Sequence, residues 1–258
     1  QREYRVATMG EVRLWDARYL PLATPGETPD QLLLVATDVT EQRAAQEARL
    51  EAAIAQREML VKEVHHRIKN NLQGVAGLLQ QIGARKPEMA DAMAEVVGQV
   101  QAIAQVYGLQ VGMAGPLRLR SVLEAITGSV QRTFGRVIEL TVEGAEPDVW
   151  ALPEAESIPI ALCLNELLTN AIKHSTPDEK GGAASPVRCR LSCREAGVEI
   201  EVANHGRLPD GFNLARYPGG VSGLGLIRAL LPRRSASLRI EPRDNRVIAT
   251  VALVMPHF

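Results

Sequence analysis

A long series of regularly spaced apolar residues, over positions 50–82, restricts what this chain can fold into more than any other feature of the sequence. The apolar residues recur at intervals of three, four and seven positions, which is the period of an amphipathic α-helix with one buried stripe. They are Leu50, Ile54, Val61, Val64, Ile68, Leu72, Val75, Leu79 and Ile82. Asp38 or Thr40 is suited to cap the start of this helix. The sequence therefore predicts one very long helix that ends at about Arg85.

A second amphipathic helix is predicted over residues 89–110, after a break at Lys86 and Pro87. Two long helices joined by a short turn form an antiparallel hairpin. Each helix keeps an apolar stripe that another hairpin would cover, so we expect a homodimer that forms a four-helix bundle. A monomer is the alternative.

Two adjacent histidines lie within the first helix, and helical geometry separates them. His65 falls on the flank of the apolar stripe, whereas His66 lies about 100° further round on a polar face. The other residues on this face are Lys62, Glu63, Lys69, Asn70 and Gln73. An imidazole that faces solvent is a good nucleophile near neutral pH, and lysines and amides suit an incoming anion. His66 is therefore the candidate for chemistry, and His65 is the candidate for packing.

Residues 1–37 alternate between polar and apolar as strands do, and three strands alone are too few for a stable domain. After a linker at residues 112–116 the pattern changes to mixed helices and strands, which predicts a second domain of α+β type. Its helices are expected at 119–134 and 158–174, and its strands at 138–142, 187–193, 198–202, 238–240 and 247–254.

Composition excludes several classes of partner. The net charge of −1, with basic residues spread along the chain, gives no support for binding to nucleic acid or to an anionic membrane. No apolar segment reaches the roughly 18 to 20 residues that span a bilayer, and no leader-like segment begins the chain. An odd number of cysteines, three, is typical of a reducing compartment. We therefore expect a cytoplasmic protein without membrane contact in this segment. Cys189 and Cys193 lie in a strand-like alternation that favours the core over a metal site.

The helix expected at 158–174 carries a line of polar residues on an otherwise apolar surface. Glu166, Asn170, Lys173 and His174 follow each other at helical spacing. This line is either a plain solvent face or the edge of a ligand site. An amide oxygen and a carboxylate one turn apart are ligands that Mg²⁺ prefers, and a lysine beside them is suited to phosphate.

A glycine-rich segment, residues 219–226, leads directly into an apolar helix expected at 227–231. Glycines before a helix let backbone N–H groups approach phosphate oxygens, although such turns are common and the signal alone is weak. Between this segment and the polar line, a strand runs into a turn at Asn204, His205 and Gly206.

Taken in order, the histidine-bearing helix, the polar line and the two glycine-containing segments resemble the sensor histidine kinases. The resemblance is to the branch close to the HWE kinases, whose acceptor helix reads HHRxKNNL, and it covers roughly residues 40–258. Residues 166–174 look like the N box of that family, 202–206 like its first glycine box and 219–226 like its second, as in a GHKL-type ATP-binding fold. Residues 1–43 resemble the last strands of a PAS sensor domain.

The resemblance implies an α+β chain of three parts. These are the end of a PAS-like domain at 1–43, a dimerisation and phosphotransfer hairpin at 44–113, and an ATP-binding domain at 114–258. The last part would be an α/β sandwich with a mixed sheet and helices on one face. The implied activity is autophosphorylation of His66 from ATP with Mg²⁺, followed by transfer to an aspartate of a response regulator receiver domain.

The same resemblance assigns residues to roles. Asn70 takes the position linked to phosphatase chemistry, and Glu63 is our candidate for the acid that many histidine kinases have directly after the histidine, where this chain has Arg67. Asn170 is the expected Mg²⁺ ligand, and Glu166 is the carboxylate that positions metal or water. The expected nucleotide contacts are Lys173, His174, Asn204, Gly206, Ser222, Gly223, Leu224 and Gly225.

Asn204 departs from the family pattern, which has an aspartate that accepts a hydrogen bond from the adenine amino group. An asparagine oxygen accepts the same bond without charge, and this weakens it by about 1 kcal/mol. Two other functions therefore stay open. One is a phosphatase or phosphotransfer module with a degenerate nucleotide domain, which Asn204 favours. The other is a GHKL ATP-binding switch that uses no histidine, and the exposed position expected for His66 speaks against it.

Overall fold

The computed structural model describes residues 2–8, 11–22, 31–112, 116–144, 147, 150–176, 185–194, 197–217, 220 and 223–254. The chain divides into two compact units, Gln1–Val61 and Lys62–Phe258. The first unit contains a small sheet and the start of a long helix. The second contains the rest of that helix and a larger α+β assembly. The three-part division of the sequence analysis stays a prediction.

The first unit is built on three antiparallel strands, as predicted. They are β1 (Arg2–Thr8), β2 (Glu11–Leu22) and β3 (Gln31–Asp38), in that spatial order, and helix α1 (Thr40–Arg85) follows. Asp38 caps the helix, because its Oδ1 accepts hydrogen bonds from the Thr40 N–H at 3.0 Å and from the Thr40 hydroxyl at 2.6 Å. These bonds hold the pKa of Asp38 below its usual range.

Helix α1 continues into the second unit and forms the predicted hairpin with α2 (Ala90–Gly112). A 3₁₀ turn, Pro87–Met89, joins the two helices, since proline ends α1 and begins the turn. Near the turn, Gly83 lies so close to Met93 that an added Cβ would be 3.2 Å from the Met93 Cβ. Much of the predicted apolar stripe of α1 is exposed, including Val64, Val75 and Ile82. None of the helices that the structure describes is both long and apolar enough to cross a membrane.

In the part of the chain that the structure describes, the rest of the second unit contains a five-stranded sheet, a separate pair of short strands and three α-helices. Its elements are β4 (Leu117–Arg118), α3 (Leu119–Phe134), β5 (Ile138–Gly144), β6 (Ala151–Leu152), α4 (Glu154–Lys173), β7 (Val187–Arg194), β8 (Gly197–His205), α5 (Gly223–Leu230), β9 (Ala236–Arg243) and β10 (Arg246–Leu253). The strand order is β5-β7-β8-β10-β9, with β5 parallel to β7 and all other neighbours antiparallel. The sheet is therefore mixed, as the α+β sandwich prediction required.

Strand β7 shows why the helices occupy one face of the sheet. Its buried side chains alternate with exposed arginines that pair with glutamates of neighbouring strands, as Arg190 does with Glu201 at 2.9 Å. The buried positions are Val187, Cys189, Leu191 and Cys193, and they join one core with α3, α4 and α5. Both cysteines of the strand thus lie in the core, where burial raises the pKa of the Cys189 thiol to about 12.

Helix α4 begins four residues earlier than the sequence analysis predicted, and it contains Pro159. The proline lacks an N–H donor, which made position 158 look like a helix start. Burial of nearly every residue from Ser157 to Ile172 stabilises the helix despite this loss. The short pairing of β4 with β6 was also missed, because two residues are too few to show a strand pattern.

Candidate functional site

His66 lies on the exposed face of α1, and His65 does not. The amide Nδ2 of Asn70, one turn further on, is 3.2 Å from Nδ1 of His66. As placed, the amide nitrogen donates and Nδ1 accepts, whereas a half-turn of the amide would present Oδ1 to a protonated Nδ1 instead. Whichever way it runs, the contact orients the imidazole and leaves Nε2 as the outer nitrogen.

His65 is half-buried and packs against Tyr107 of α2, with ring centroids 5.4 Å apart. Its Nδ1 is buried and has no hydrogen-bond partner among the described residues. The predicted division of the two histidines is therefore confirmed, with His65 used for packing and His66 presented to solvent.

Glu63 has a different partner from the one predicted. Its carboxylate accepts a hydrogen bond from Nε of Arg67 at 2.6 Å, and this lowers the pKa of Glu63. A guanidinium one helical turn away is a charged donor, and it therefore competes well for a carboxylate against a neutral imidazole. His66 contributes only a minor lowering of the same pKa. The prediction that Glu63 interacts with the imidazole of His66 during the reaction stays a prediction.

A cavity of about 840 Å³ opens between α4, the sheet and the start of α5. Six of the predicted site residues line it, and they come from three separate parts of the sequence. These are Asn170, His174, Asn204, Gly206, Gly223 and Leu224. The volume and mixed lining suit a nucleotide-sized ligand.

The remaining predicted residues lie elsewhere. Lys173 is exposed at the end of α4 and is not part of the described lining. Helix α5 begins at Gly223 and not at residue 227 as predicted, so Gly225 is buried within the helix and does not belong to a turn before it. Ser222 lies outside the described residues. Glu166 is buried one turn before Asn170, but it does not belong to the described lining.

The first glycine segment forms one end of the cavity. Asn204 is buried, and its Nδ2 donates to the carbonyl of His205 at 3.0 Å, which leaves Oδ1 as the acceptor of this amide. A Cβ at Gly206 would lie 2.9 Å from the backbone oxygen of His174. Glycine is required here because the end of α4 passes so close.

Glu166 is the most constrained group near the cavity. Only 2% of its surface is exposed, Oε1 accepts from Nε2 of Gln99 at 3.0 Å, and Oε2 accepts from the N–H of Gly223 at 2.9 Å. Burial raises the pKa of Glu166, and the two hydrogen bonds lower it in part. Both oxygens are therefore occupied by donors of the protein itself.

The cavity offers an oxygen ligand for Mg²⁺ at Asn170, which is half-buried on its wall. Among the described residues no three His, Cys, Asp or Glu side chains cluster as a metal site would require. A single amide oxygen on the wall suits a cation that is shared with phosphate oxygens.

Comparison with known protein families identifies the chain. A family model described as histidine kinase matches residues 63–134, and one described as histidine kinase-like ATPase domain matches residues 136–251. The chain belongs to the histidine kinases. In this histidine kinase, the first match includes His66, Asn70 and Gln99, and the second includes the residues named around the cavity.

Individual relatives agree with this assignment. The sensor histidine kinase PdtaS of Mycobacterium tuberculosis (strain ATCC 25618 / H37Rv) is 29% identical over 220 residues, which is 83% of this chain and 41% of that protein. This histidine kinase chain thus spans less than half the length of that curated relative.

Two solved structures from Erythrobacter litoralis EL346 share the fold. The histidine kinase domain of its blue-light activated histidine kinase matches with a TM-score of 0.54 and 17% identity, over 77% of this chain and 94% of that one. The blue-light activated histidine kinase itself matches with a TM-score of 0.52 and 20% identity, over 98% of this chain and 75% of that one. At these identities the likeness concerns the fold alone.

Sequence reasoning missed several residues of this site. Gln99 gave no signal, because its target lies 67 positions away. Phe212 and Tyr217 line the cavity with ring centroids 6.3 Å apart, but isolated aromatic residues in a loop carry no pattern. The turn at Asp244 and Asn245, both with positive φ, was detectable, since Asp and Asn favour such hairpin turns.

Proposed function

We propose that this chain is the kinase part of a sensor histidine kinase, which transfers the γ-phosphoryl group of ATP to His66 and then to an aspartate of a response regulator receiver domain. The observation that carries the proposal is the cavity of about 840 Å³, in which Asn170 and His174 of the polar line of α4 and residues of both glycine segments come together. An exposed histidine on the hairpin of the same chain supplies the acceptor.

The two ends of the cavity suit the two ends of ATP. At Asn204, where Nδ2 donates to the His205 carbonyl, Oδ1 would accept a hydrogen bond from the exocyclic amino group of adenine. At the other end, Gly223 and Leu224 begin α5, where backbone N–H groups and the helix dipole favour phosphate. Asn170 lies on the wall and would hold Mg²⁺ through its amide oxygen, where the cation would neutralise charge on the phosphates.

His66 would act as the nucleophile through Nε2. A bond forms between this nitrogen and the γ-phosphorus, the bond to the β-phosphate oxygen breaks, and ADP leaves. The attacking nitrogen needs a free lone pair, so the neutral ring must carry its proton on Nδ1. Asn70 stabilises that tautomer when its amide oxygen faces Nδ1, which needs only a half-turn of the amide.

A homodimer through the hairpin is part of the proposal. The exposed apolar residues of the second unit on this hairpin include Val64, Val75, Leu78, Ile82 and Val96. We expect a second hairpin to cover these residues, because exposure of large apolar side chains to water is unfavourable.

The proposal is tested by incubating the purified chain with γ-labelled ATP and Mg²⁺, with ATP binding measured separately. We expect stable labelling at alkaline pH that acid removes, as for a phosphorus–nitrogen bond. Binding without label would instead indicate an ATP-dependent switch. Failure to bind ATP, together with loss of phosphate from an added phosphorylated receiver domain, would indicate a phosphatase module.

Replacement of Asn70 tests the orientation of His66. Asn70→Ala removes the contact with Nδ1, and we expect the initial rate of labelling to fall about tenfold at unchanged ATP affinity. Asn70→Asp keeps an acceptor for the Nδ1 proton and should retain most of the rate. Asn71→Ala, an exposed amide at the next position, serves as the matched control. Equal rates for all three variants would contradict the proposed orientation.

A further inference from the structure

Strand β9 forms one edge of the large sheet, and a groove runs along its outer side. Among the described residues β9 pairs with β10 alone, so alternate backbone groups of β9 point outwards without a neighbouring strand. The groove has a volume of about 540 Å³, and the six consecutive residues 236–241 line it. Successive side chains of a strand point to opposite faces, so a groove lined by all six follows the edge of the strand itself.

The side of this groove that faces the helices is apolar. The residues that line it there are Leu214, Ile227, Leu231, Leu238 and Ile240. Ile227 is buried in the core, and the other four side chains are half-buried. An extended segment that paired with β9 would place every second side chain over this apolar surface, while its backbone used the outward groups of the strand.

The charges around the groove are mostly positive. Arg228, Arg233 and Arg239 line it and are exposed, and Glu241 is the one acidic residue of the described lining. Arg228 donates to the carbonyl oxygen of Tyr217, which carries no charge to balance the guanidinium. Arg233 and Arg239 make no ion pair with a described residue. The groove therefore attracts an acidic segment and repels a basic one.

The exposed face of the sheet shows which side chain would suit the position next to Arg239. One row across the sheet contains Arg190, Glu201, Thr250 and Arg239, each directly opposite the next on neighbouring strands. Arg190 and Glu201 form an ion pair at 2.9 Å. Arg239 ends the row, and a strand added at this edge would place one side chain directly opposite it. A carboxylate there would form a second cross-strand ion pair in the same row.

We propose that β9 binds an extended acidic segment of a partner protein, which adds a sixth strand to the sheet with a carboxylate opposite Arg239 and apolar side chains over the groove. A second copy of this chain is a poorer occupant, because it would bring the same excess of arginines to the groove. The site is separate from the proposed phosphoryl transfer, since none of the residues that line the groove has a role in that reaction.

The test uses a fluorescently labelled peptide of 8 residues, the length of β9, in which glutamate and valine alternate. At about 0.1 M salt we expect it to bind, as measured by fluorescence anisotropy, and added salt should weaken the binding. A peptide that alternates lysine and valine should bind at least about tenfold more weakly. Amide hydrogen exchange within residues 236–243 should become about tenfold slower with saturating glutamate peptide, because pairing protects the outward N–H groups.

Three variants locate the binding site. Arg239→Glu places a like charge opposite the acidic segment and should weaken binding of the glutamate peptide about tenfold. Glu241→Gln removes the acidic residue of the groove and should strengthen binding a few-fold. Arg234→Glu is the matched control, because Arg234 is exposed just before β9 and is not part of the described lining, so binding should stay within about twofold of the wild type. A thermal unfolding curve for each variant shows that the chain is still folded.

No binding of the glutamate peptide, or equal binding of the lysine peptide, would overturn the proposal. Equal weakening by Arg239→Glu and Arg234→Glu would overturn it too, because the attraction would then be diffuse. Binding that leaves the exchange of residues 236–243 unchanged would place the peptide elsewhere. Self-association of the chain that Arg239→Glu abolishes would also contradict the proposal, because the occupant of the groove would then be a second copy.

Discussion

Replacement of His66 by alanine is expected to abolish acid-labile labelling from γ-labelled ATP, a loss of more than about 10³-fold, because no other group replaces the nucleophile. His66 is exposed and its described contact is with Asn70, so the fold and the affinity for ATP should be unchanged. The measurement is label per chain in the linear phase, with ATP binding determined on the same samples.

His65→Ala is the matched control, since it removes the neighbouring imidazole. His65 is half-buried against Tyr107, so its loss should lower the free energy of unfolding by about 1–2 kcal/mol and leave labelling in place. Label lost in His65→Ala and retained in His66→Ala would contradict the assignment of the two helix faces.

Replacement of Asn170 by alanine is expected to have the second largest effect, a fall in the labelling rate of about 10²-fold to 10³-fold. Asn170 is the residue of the predicted metal pair that lies on the cavity wall in this structure. Loss of its amide oxygen removes the expected protein ligand of Mg²⁺, so the rate should fall more than the affinity for the nucleotide base.

Asn170→Asp separates this role from a structural one. Aspartate has nearly the same shape and keeps an oxygen ligand, so it should retain measurable labelling and a Mg²⁺ dependence that differs from that of the wild type. The half-buried position of Asn170 allows either substitution without a large cavity in the core. Wild-type rates in Asn170→Ala would remove this residue from the site.

The local parts of this fold were predictable from the sequence. Helices α1 and α3 end within about one residue of the predicted positions, because the spacing of apolar residues that indicates a helix can be read from residues three and four positions apart. The same helical periodicity placed His65 and His66 on different faces of α1. The alternation of strand β7 likewise predicted that Cys189 and Cys193 belong to the core.

Within α4, the site was predictable only where helical spacing and proximity agree. Asn170 and His174 lie one turn apart and both reach the cavity. Glu166 and Lys173 share the same polar line, yet one is buried under α2 and the other is exposed beyond the cavity. Spacing places residues on a face of a helix, but it does not show which neighbouring element covers each part of that face.

By itself, the sequence determined the two long helices, the positions of the five strands of the larger sheet and the helix faces of the two histidines, since each of these leaves a periodic pattern in residues a few positions apart. Only the tertiary structure decided that Gln99 and Gly223 share the carboxylate of Glu166, because those groups come from segments far apart in the chain. A buried carboxylate needs hydrogen-bond donors, and the folded chain supplies them from residues that are distant in sequence. The periodicity of the sequence does not show which distant residues become neighbours.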